Sequence, residues 1–383
     1  MTRQARTARR TRDRERGKKR LLVCLVVVAL VIVSALVIKG CTAGNSPDDK
    51  DSQEVKPHER NPKITIVWDQ ITSSKSNAKT IGMEVPKGLE VISPTWFSFD
   101  TDALNGNLID LASKDYVDWA HENGLEVWAL FSDNFNQDVS RQVLSDEKKR
   151  EHVINQVMGF ADTYALDGIN VDFEMVGRDQ VEDFLQFLRE LSEAMKAKDL
   201  VLSVDVYVPA SYNLYYNRTE IGNIADYVII MGYDEHYAGS ETEGPIASIG
   251  YVDKGIADTL SEVPAEKVIL GLPFYTRVWK IKGEAPNTEL SSVAYGMVSS
   301  YELFIENDAE FVWDDEKKCY YAEYTGEEDG IPFVNRVWLE DERSIEEKLK
   351  LVESYNLAGT SGWRLGLEKP GIWELIDDYA NNG

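Results

Sequence analysis

Cysteine and histidine are scarce in this chain, with three Cys and four His among 383 residues. Cys24 and Cys41 lie in or beside an apolar run near the N-terminus, so the body beyond it has Cys319 alone. That body can close no internal disulfide and must be held by its core. The same scarcity leaves no ligand spacing for zinc, so no metal and no cofactor is expected. Positive charge is also short outside the first 20 residues. Those carry ten Lys or Arg against Asp13 and Glu15, whereas the remainder holds 31 basic and 64 acidic residues. An acidic body repels phosphate, which argues against nucleic acid as a partner.

The basic start is followed by Leu21 to Ile38, 18 residues without a charge and with Ser34 alone polar. As a helix this run spans roughly 27 Å, enough to cross a bilayer core. Positive charge on its N-terminal side is expected to stay cytoplasmic, which places everything after Lys39 outside. The expected layout is a basic cytoplasmic tail at 1–20, a single transmembrane signal-anchor at 21–38, a flexible linker at 39–62 and a folded body at 63–380. The protein is then a single-pass membrane protein with an extracytoplasmic body, and a monomer is expected. A cleaved signal peptide giving a secreted protein, or a lipoprotein signal ending at Cys41, are the alternatives.

In the body, strand-like and helix-like segments alternate. Strands are expected at 63–71, 89–99, 125–131, 166–174, 200–208, 227–233, 268–274 and 358–363, and helices at 115–123, 147–164 and 180–198. Several strands are near-continuous apolar runs, as buried parallel strands should be. Eight strands alternating with helices indicate an α/β fold, a (β/α)8 TIM barrel. Residues 281–335 break the rhythm. There, Glu310–Trp313 and Cys319–Tyr324 read as a β-hairpin, so a small α+β insertion is expected between barrel strands seven and eight.

The chemistry points to Leu166-Asp167-Gly168-Ile169-Asn170-Val171-Asp172-Phe173-Glu174. In a strand, Asn170, Asp172 and Glu174 share one face while Ile169, Val171 and Phe173 take the other. Acids on a half-buried face cost free energy unless paired or put to use. In a barrel the C-terminal strand ends form the active site, which puts Glu174 at the mouth and Asp172 one pleat deeper. Repulsion between neighbouring acids raises one pKa, preparing Glu174 as a general acid.

This segment resembles the strand-four signature D-x-x-D-x-D-x-E of glycoside hydrolase family 18, matching at Asp167, Asp172 and Glu174 and departing at Asn170. Met231-Gly232-Tyr233-Asp234 resembles that family's M-x-Y-D motif, Gly271 to Arg277 its strand-seven segment, and Trp363 stands where the family places a Trp floor. The likeness runs over about 63–377 and is strongest to the bacterial spore-cortex and germination branch.

The resemblance implies a hydrolase of β-linked N-acetylglucosamine-containing polysaccharide, peptidoglycan or chitin-like, that retains configuration through attack by the substrate's own acetamido oxygen. Glu174 would be acid and then base, Asp172 would hold the acetamido N–H, and Tyr233 would bond its oxygen. Asp234, Trp363, Asn170, Asp167, Arg277, Tyr207 and Trp96 are the expected substrate-binding residues. Asp205, Trp279 and His236 are further candidates near the groove, and Asn170 is expected to hold Asp172. A sugar-binding, inactive member of the same barrel is the alternative; such members typically lose the acid that Glu174 keeps here.

Overall fold

The structure, a computed structural model, describes residues 62–102 and 104–382. The expected tail and membrane span, and the linker up to residue 61, lie outside the described residues. Among the described residues, no helix is long and apolar enough to cross a membrane.

The strands are β1 (Ile64–Asp69), β2 (Val91–Phe99), β3 (Leu108–Asp110), β4 (Glu126–Ser132), β5 (Gly168–Asp172), β6 (Val201–Tyr207), β7 (Tyr227–Met231) and β8 (Val268–Pro273). They are followed by β9 (Tyr275–Glu284), β10 (Asn287–Gly296), β11 (Val312–Asp314), β12 (Cys319–Glu328), β13 (Ile331–Leu339) and β14 (Gly359–Trp363). Eight of them pair in the order β1-β14-β8-β7-β6-β5-β4-β2, and β2 returns to β1, so the parallel sheet closes into a barrel. Strand β3 is a short antiparallel addition to β2. The (β/α)8 expectation holds with one local departure: β1 and β2 are joined by a loop whose only helical piece is a 3-10 turn at Ser74–Lys79.

The crossover helices are started by residues suited to the task. Asp146 caps the helix 147–164 by accepting from the N–H groups of Lys148 and Lys149, and Asn136 caps 137–144 in the same way. The outward face of β5 shows how such helices are held. Ile169 and Val171 are fully buried, and Phe173 lies between Phe184 and Phe187 of the helix 181–196, stacked on the latter at 5.7 Å with an interplanar angle of 6°. Each such side chain contributes about 1.5–3 kcal/mol of burial. The inward faces carry polar groups instead, which is what the site uses.

The insertion is larger than 281–335. It begins as soon as β8 ends, runs from Tyr275 to Leu339, and forms a five-stranded antiparallel sheet in the order β10-β9-β13-β12-β11, with a helix at Met297–Glu306. Its start was hidden because residues 274–279 follow β8 with four large apolar side chains and no Gly, Pro, Asn or Asp to mark a turn. Val278, Phe304, Ala322, Val337 and Leu339 give it a core of its own. It is joined to the barrel by the Ile249 N–H, which donates to the Lys317 carbonyl at 3.1 Å, and by the Met297 N–H, which donates to the Leu367 carbonyl at 2.8 Å. Where the chain leaves it, Glu340 makes a buried ion pair with Lys348 at 2.9 Å.

Candidate active site

Strand β5 ends at Asp172, so Glu174 stands on the loop just beyond it rather than closing the strand. That loop is clamped from two sides. Asp133, buried after β4, accepts the Met175 N–H at 2.7 Å, and the Tyr216 hydroxyl donates to the carbonyls of Phe173 and Glu174, each at 3.3 Å. A side chain on a loop held this way does not wander, although it sits outside regular structure.

Above Asp172 opens a cavity of about 420 Å³ at the C-terminal ends of the barrel strands. Asp172, Glu174, Asp205, Tyr207, Tyr233 and Asp234 face it, with Tyr275, Trp68 and Trp363 among the aromatic walls. The two indoles meet edge to face at 5.9 Å. Strands β5, β6, β7, β14 and β1 thus each supply part of one site, as sites at barrel mouths are built.

Its electrostatics are those of crowded acids. Burial raises the pKa of Glu174, and the charges of Asp133 and Asp234 add to the rise, while a hydrogen bond from the Tyr207 hydroxyl opposes it. Asp172 is pushed well above the ordinary carboxylate range by burial first, then by Glu174, Asp205 and Asp133. One of its oxygens, Oδ1, is buried and accepts no hydrogen bond. Asp205 is also pushed up by burial and by Glu174, against a bond from Asn170. Burial raises Asp234 as well, opposed by the Tyr275 hydroxyl, which donates to its Oδ1 at 2.7 Å, and by the nearby charge of Arg277. The Tyr233 phenol is held fully protonated by burial and by these acids, so it can only donate to an incoming anion or carbonyl.

Glu174, Asp172, Tyr233, Asp234, Tyr207 and Trp363 therefore meet in one cavity. Other expected residues do not. Asp167 sits at the opposite end of the barrel, where its carboxylate accepts from the Val127 N–H and bonds His121 Nε2, both at 2.8 Å. Trp96 is buried and donates to Asn77 at 2.8 Å, because a register irregularity in β2 between Thr95 and Phe97 turns it away from the barrel interior. Arg277 reaches the site only through its charge on Asp234; its guanidinium donates to Ser292 at 3.2 Å and does not line the cavity. Trp279 is buried against the Gly244 carbonyl, and His236 bonds the Pro245 carbonyl, so neither lines it. Asn170 lies one layer below the cavity and bonds Asp205 at 2.7 Å, not Asp172. Asp133 and Tyr275, whose roles are to hold Glu174 and Asp234, were not expected from the sequence. Among the described residues no group of His, Cys, Asp or Glu is arranged to hold a metal ion.

The sequence model of Glycosyl hydrolases family 18 matches residues 114–368. The cortical fragment-lytic enzyme of Bacillus subtilis (strain 168) is 29% identical over 254 residues, which cover 64% of this chain and 57% of the relative. The uncharacterized glycosylase YvbX of the same organism is 25% identical over 306 residues, covering 75% of this chain and 84% of YvbX. The chain therefore spans little more than half the length of the first of these. Among solved structures, the Bacillus cereus spore cortex-lytic enzyme SleL shares the fold with a TM-score of 0.70 at 21% identity, over 84% of this chain and 75% of that one.

Proposed function

The chain belongs to glycosyl hydrolases family 18, and on that premise we propose that it is a retaining glycosidase of β-linked N-acetylglucosamine-containing glycans. Peptidoglycan is the preferred substrate, ahead of chitin-type oligosaccharides. The observation that carries the proposal is the placing of Glu174. It is a carboxyl made a weak acid by burial at a cavity mouth, with Asp172 beneath it and the Tyr233 phenol and Trp363 indole lining the same space.

A carboxylate nucleophile does not fit this arrangement. Ordinary retaining enzymes set two carboxyls about 5–5.5 Å apart on opposite faces of the sugar. Here Asp172 and Glu174 come from the same side, and Asp234 is bound to Tyr275 with its pKa raised. Membership of the family implies the sugar's acetamido oxygen as the nucleophile instead. The bond between C1 and the leaving oxygen breaks as that acetamido oxygen bonds C1, and Glu174 gives its proton to the leaving oxygen. Asp172, charged at this point, accepts the acetamido N–H and offsets the positive charge of the oxazolinium ion. Tyr233 donates to the acetamido oxygen and aims it, while Trp363 offers a flat apolar face beneath the ring. Water then attacks C1, returns a proton to Glu174, and restores the acetamido group with the original configuration.

The preference for peptidoglycan is supported by the relatives named for lysis of spore cortex and by the expected anchor at 21–38, which would hold the body over the wall. All the cavity residues come from one chain, so a monomer suffices. The test is product analysis, by mass spectrometry, of muropeptides and chitooligosaccharides incubated with the protein. Wild-type turnover is expected, a Glu174→Gln variant is expected to lose about 10²–10⁴-fold in kcat while still binding, and glycans without the acetamido group should not be cut. Binding without any wild-type turnover would make the protein a sugar-binding member of the family instead.

A further inference from the structure

Asn170 is held so that it cannot serve Asp172. The indole N–H of Trp68 can only donate, and it meets the Asn170 carbonyl at 2.8 Å, which fixes which way the amide points. The Ser93 hydroxyl bonds the same oxygen at 3.4 Å. The amide nitrogen then donates to the Ser203 hydroxyl at 3.0 Å and to Asp205 Oδ1 at 2.7 Å. With both ends engaged, and at 1% exposure, Asn170 has no capacity left for a carboxylate above it.

Asp205 is placed to take that part. The ladder between β5 and β6 pairs Asn170 with Ser203 and Val171 with Val204, so one residue further on Asp172 and Asp205 stand level on neighbouring strands. Strands in a sheet lie about 4.8 Å apart, and side chains at one level of parallel strands point to the same face. Both carboxyls do face the cavity, Asp205 at only 4% exposure. The buried, unbonded Oδ1 of Asp172 lacks any donor, whereas Asp205 has the Asn170 N–H.

We propose that Asp205 is the positioning residue that partners Asp172, replacing from β6 the carboxylate that residue 170 lacks. Before substrate binds, Asp205 carries the charge that Asn170 stabilises, and Asp172 keeps a proton. When the acetamido N–H arrives, the Asp172 O–H bond breaks and an O–H bond forms on Asp205. The net charge is unchanged, and Asp172 becomes the acceptor the reaction needs. The directions of the pKa shifts agree, since Asp205 raises Asp172 and Glu174 raises Asp205. The other groups bearing on the pair are Asp133 from the loop after β4, Tyr207 on β6, and Tyr233 and Asp234 after β7.

The inference rests on the proposed glycosidase reading, and its test has an arm that does not. The proteins to compare are wild type, Asp205→Asn, Asn170→Asp and the transposed double variant Asn170→Asp/Asp205→Asn. Asn at 205 can still accept from Asn170, so the fold is expected to persist, and circular dichroism checks it.

In the first arm, kcat/KM is followed against pH. Asp205→Asn should lower kcat at least tenfold, leave KM within a factor of three, and leave the basic limb within about half a unit, because the charge lost at 205 is taken up by Asp172 beside the acid. The transposed variant should regain most of the rate, which a structural role for Asp205 would not allow. In the second arm, the Asp172 carboxyl is titrated by ¹³C NMR without substrate. It should titrate at lower pH in Asp205→Asn than in wild type and return upward in the double variant. An Asp172 titration unmoved by Asp205→Asn overturns the inference, whether or not the wild type cuts glycans. A transposed variant no better than Asp205→Asn overturns it also. Absence of wild-type turnover with the NMR shifts intact would count against the glycosidase reading alone.

Discussion

Replacing Tyr207 by Phe tests the electrostatics of the proposed acid directly. A hydrogen bond from the Tyr207 hydroxyl stabilises the charged form of Glu174, while burial and the acids Asp133 and Asp234 push the other way. A hydrogen bond to a charged group contributes about 1.5–3 kcal/mol, and one pKa unit corresponds to about 1.4 kcal/mol. Removal of the hydroxyl therefore raises the Glu174 pKa by about 1–2 units, toward the lower figure if water enters the vacated space. Glu174 works as an acid, so activity falls as pH rises through its pKa, and a raised pKa carries that fall to higher pH. In kcat/KM profiles on a chromogenic chitooligosaccharide, the Tyr207→Phe variant should keep a wild-type acidic limb and show a basic limb displaced upward by at least half a unit. A basic limb that stays in place, or moves to lower pH, would refute the assignment of Glu174 as the acid that Tyr207 restrains.

Two further substitutions probe stability. Asp172→Asn should raise the melting temperature by several degrees at pH 8 while abolishing most activity, since an unbonded buried carboxylate costs about 1–3 kcal/mol. Because the folded-state pKa of Asp172 is raised, that cost is absent below its unfolded value, grows as pH climbs, and is complete above the folded value. The calorimetric gap should thus narrow toward pH 4, and a gap independent of pH would count against the shift. At the joint with the insertion, Lys348 and Glu340 are 1% and 0% exposed. Lys348→Met strands a buried carboxylate and should cost about 3–5 kcal/mol in urea unfolding, most of it regained in Lys348→Met/Glu340→Leu; a single-variant loss under about 1 kcal/mol would mean the pair is hydrated.

The parts of the site visible in the sequence were those written into one strand or one short motif. The alternation from Ile169 to Glu174 fixed which side chains face the cavity and which face the helix 181–196, and burial of Ile169, Val171 and Phe173 bears it out. The same motif misled at Asp167. Seven residues of extended chain span roughly 20 Å, so the first acid of the pattern lies at the base of the barrel while the last lies at its mouth. Trp96 was misplaced by an irregularity in β2 that no side-chain pattern announces. Asp133 and Tyr275 escaped notice because each acts through a partner 41 or 42 residues away in the chain, a closeness that only the closed sheet creates. Asn170 was expected to serve the acid above it, and its saturation by Trp68 and Ser203 became apparent only with both neighbours in place.

Strand β14, which brings Trp363, is the last of the barrel strands to be synthesised and lies beside β1, the first. Glu174 and Asp172 emerge from the ribosome some 190 residues earlier, in a chain whose sheet still has an open seam and whose cavity has the Trp68 indole but not that of Trp363. A polypeptide caught part-way through translation thus carries the two carboxyls without the complete cavity around them. If the chain is the glycosidase proposed above, its activity arrives with the closing strand, which makes completion of the fold its own safety catch.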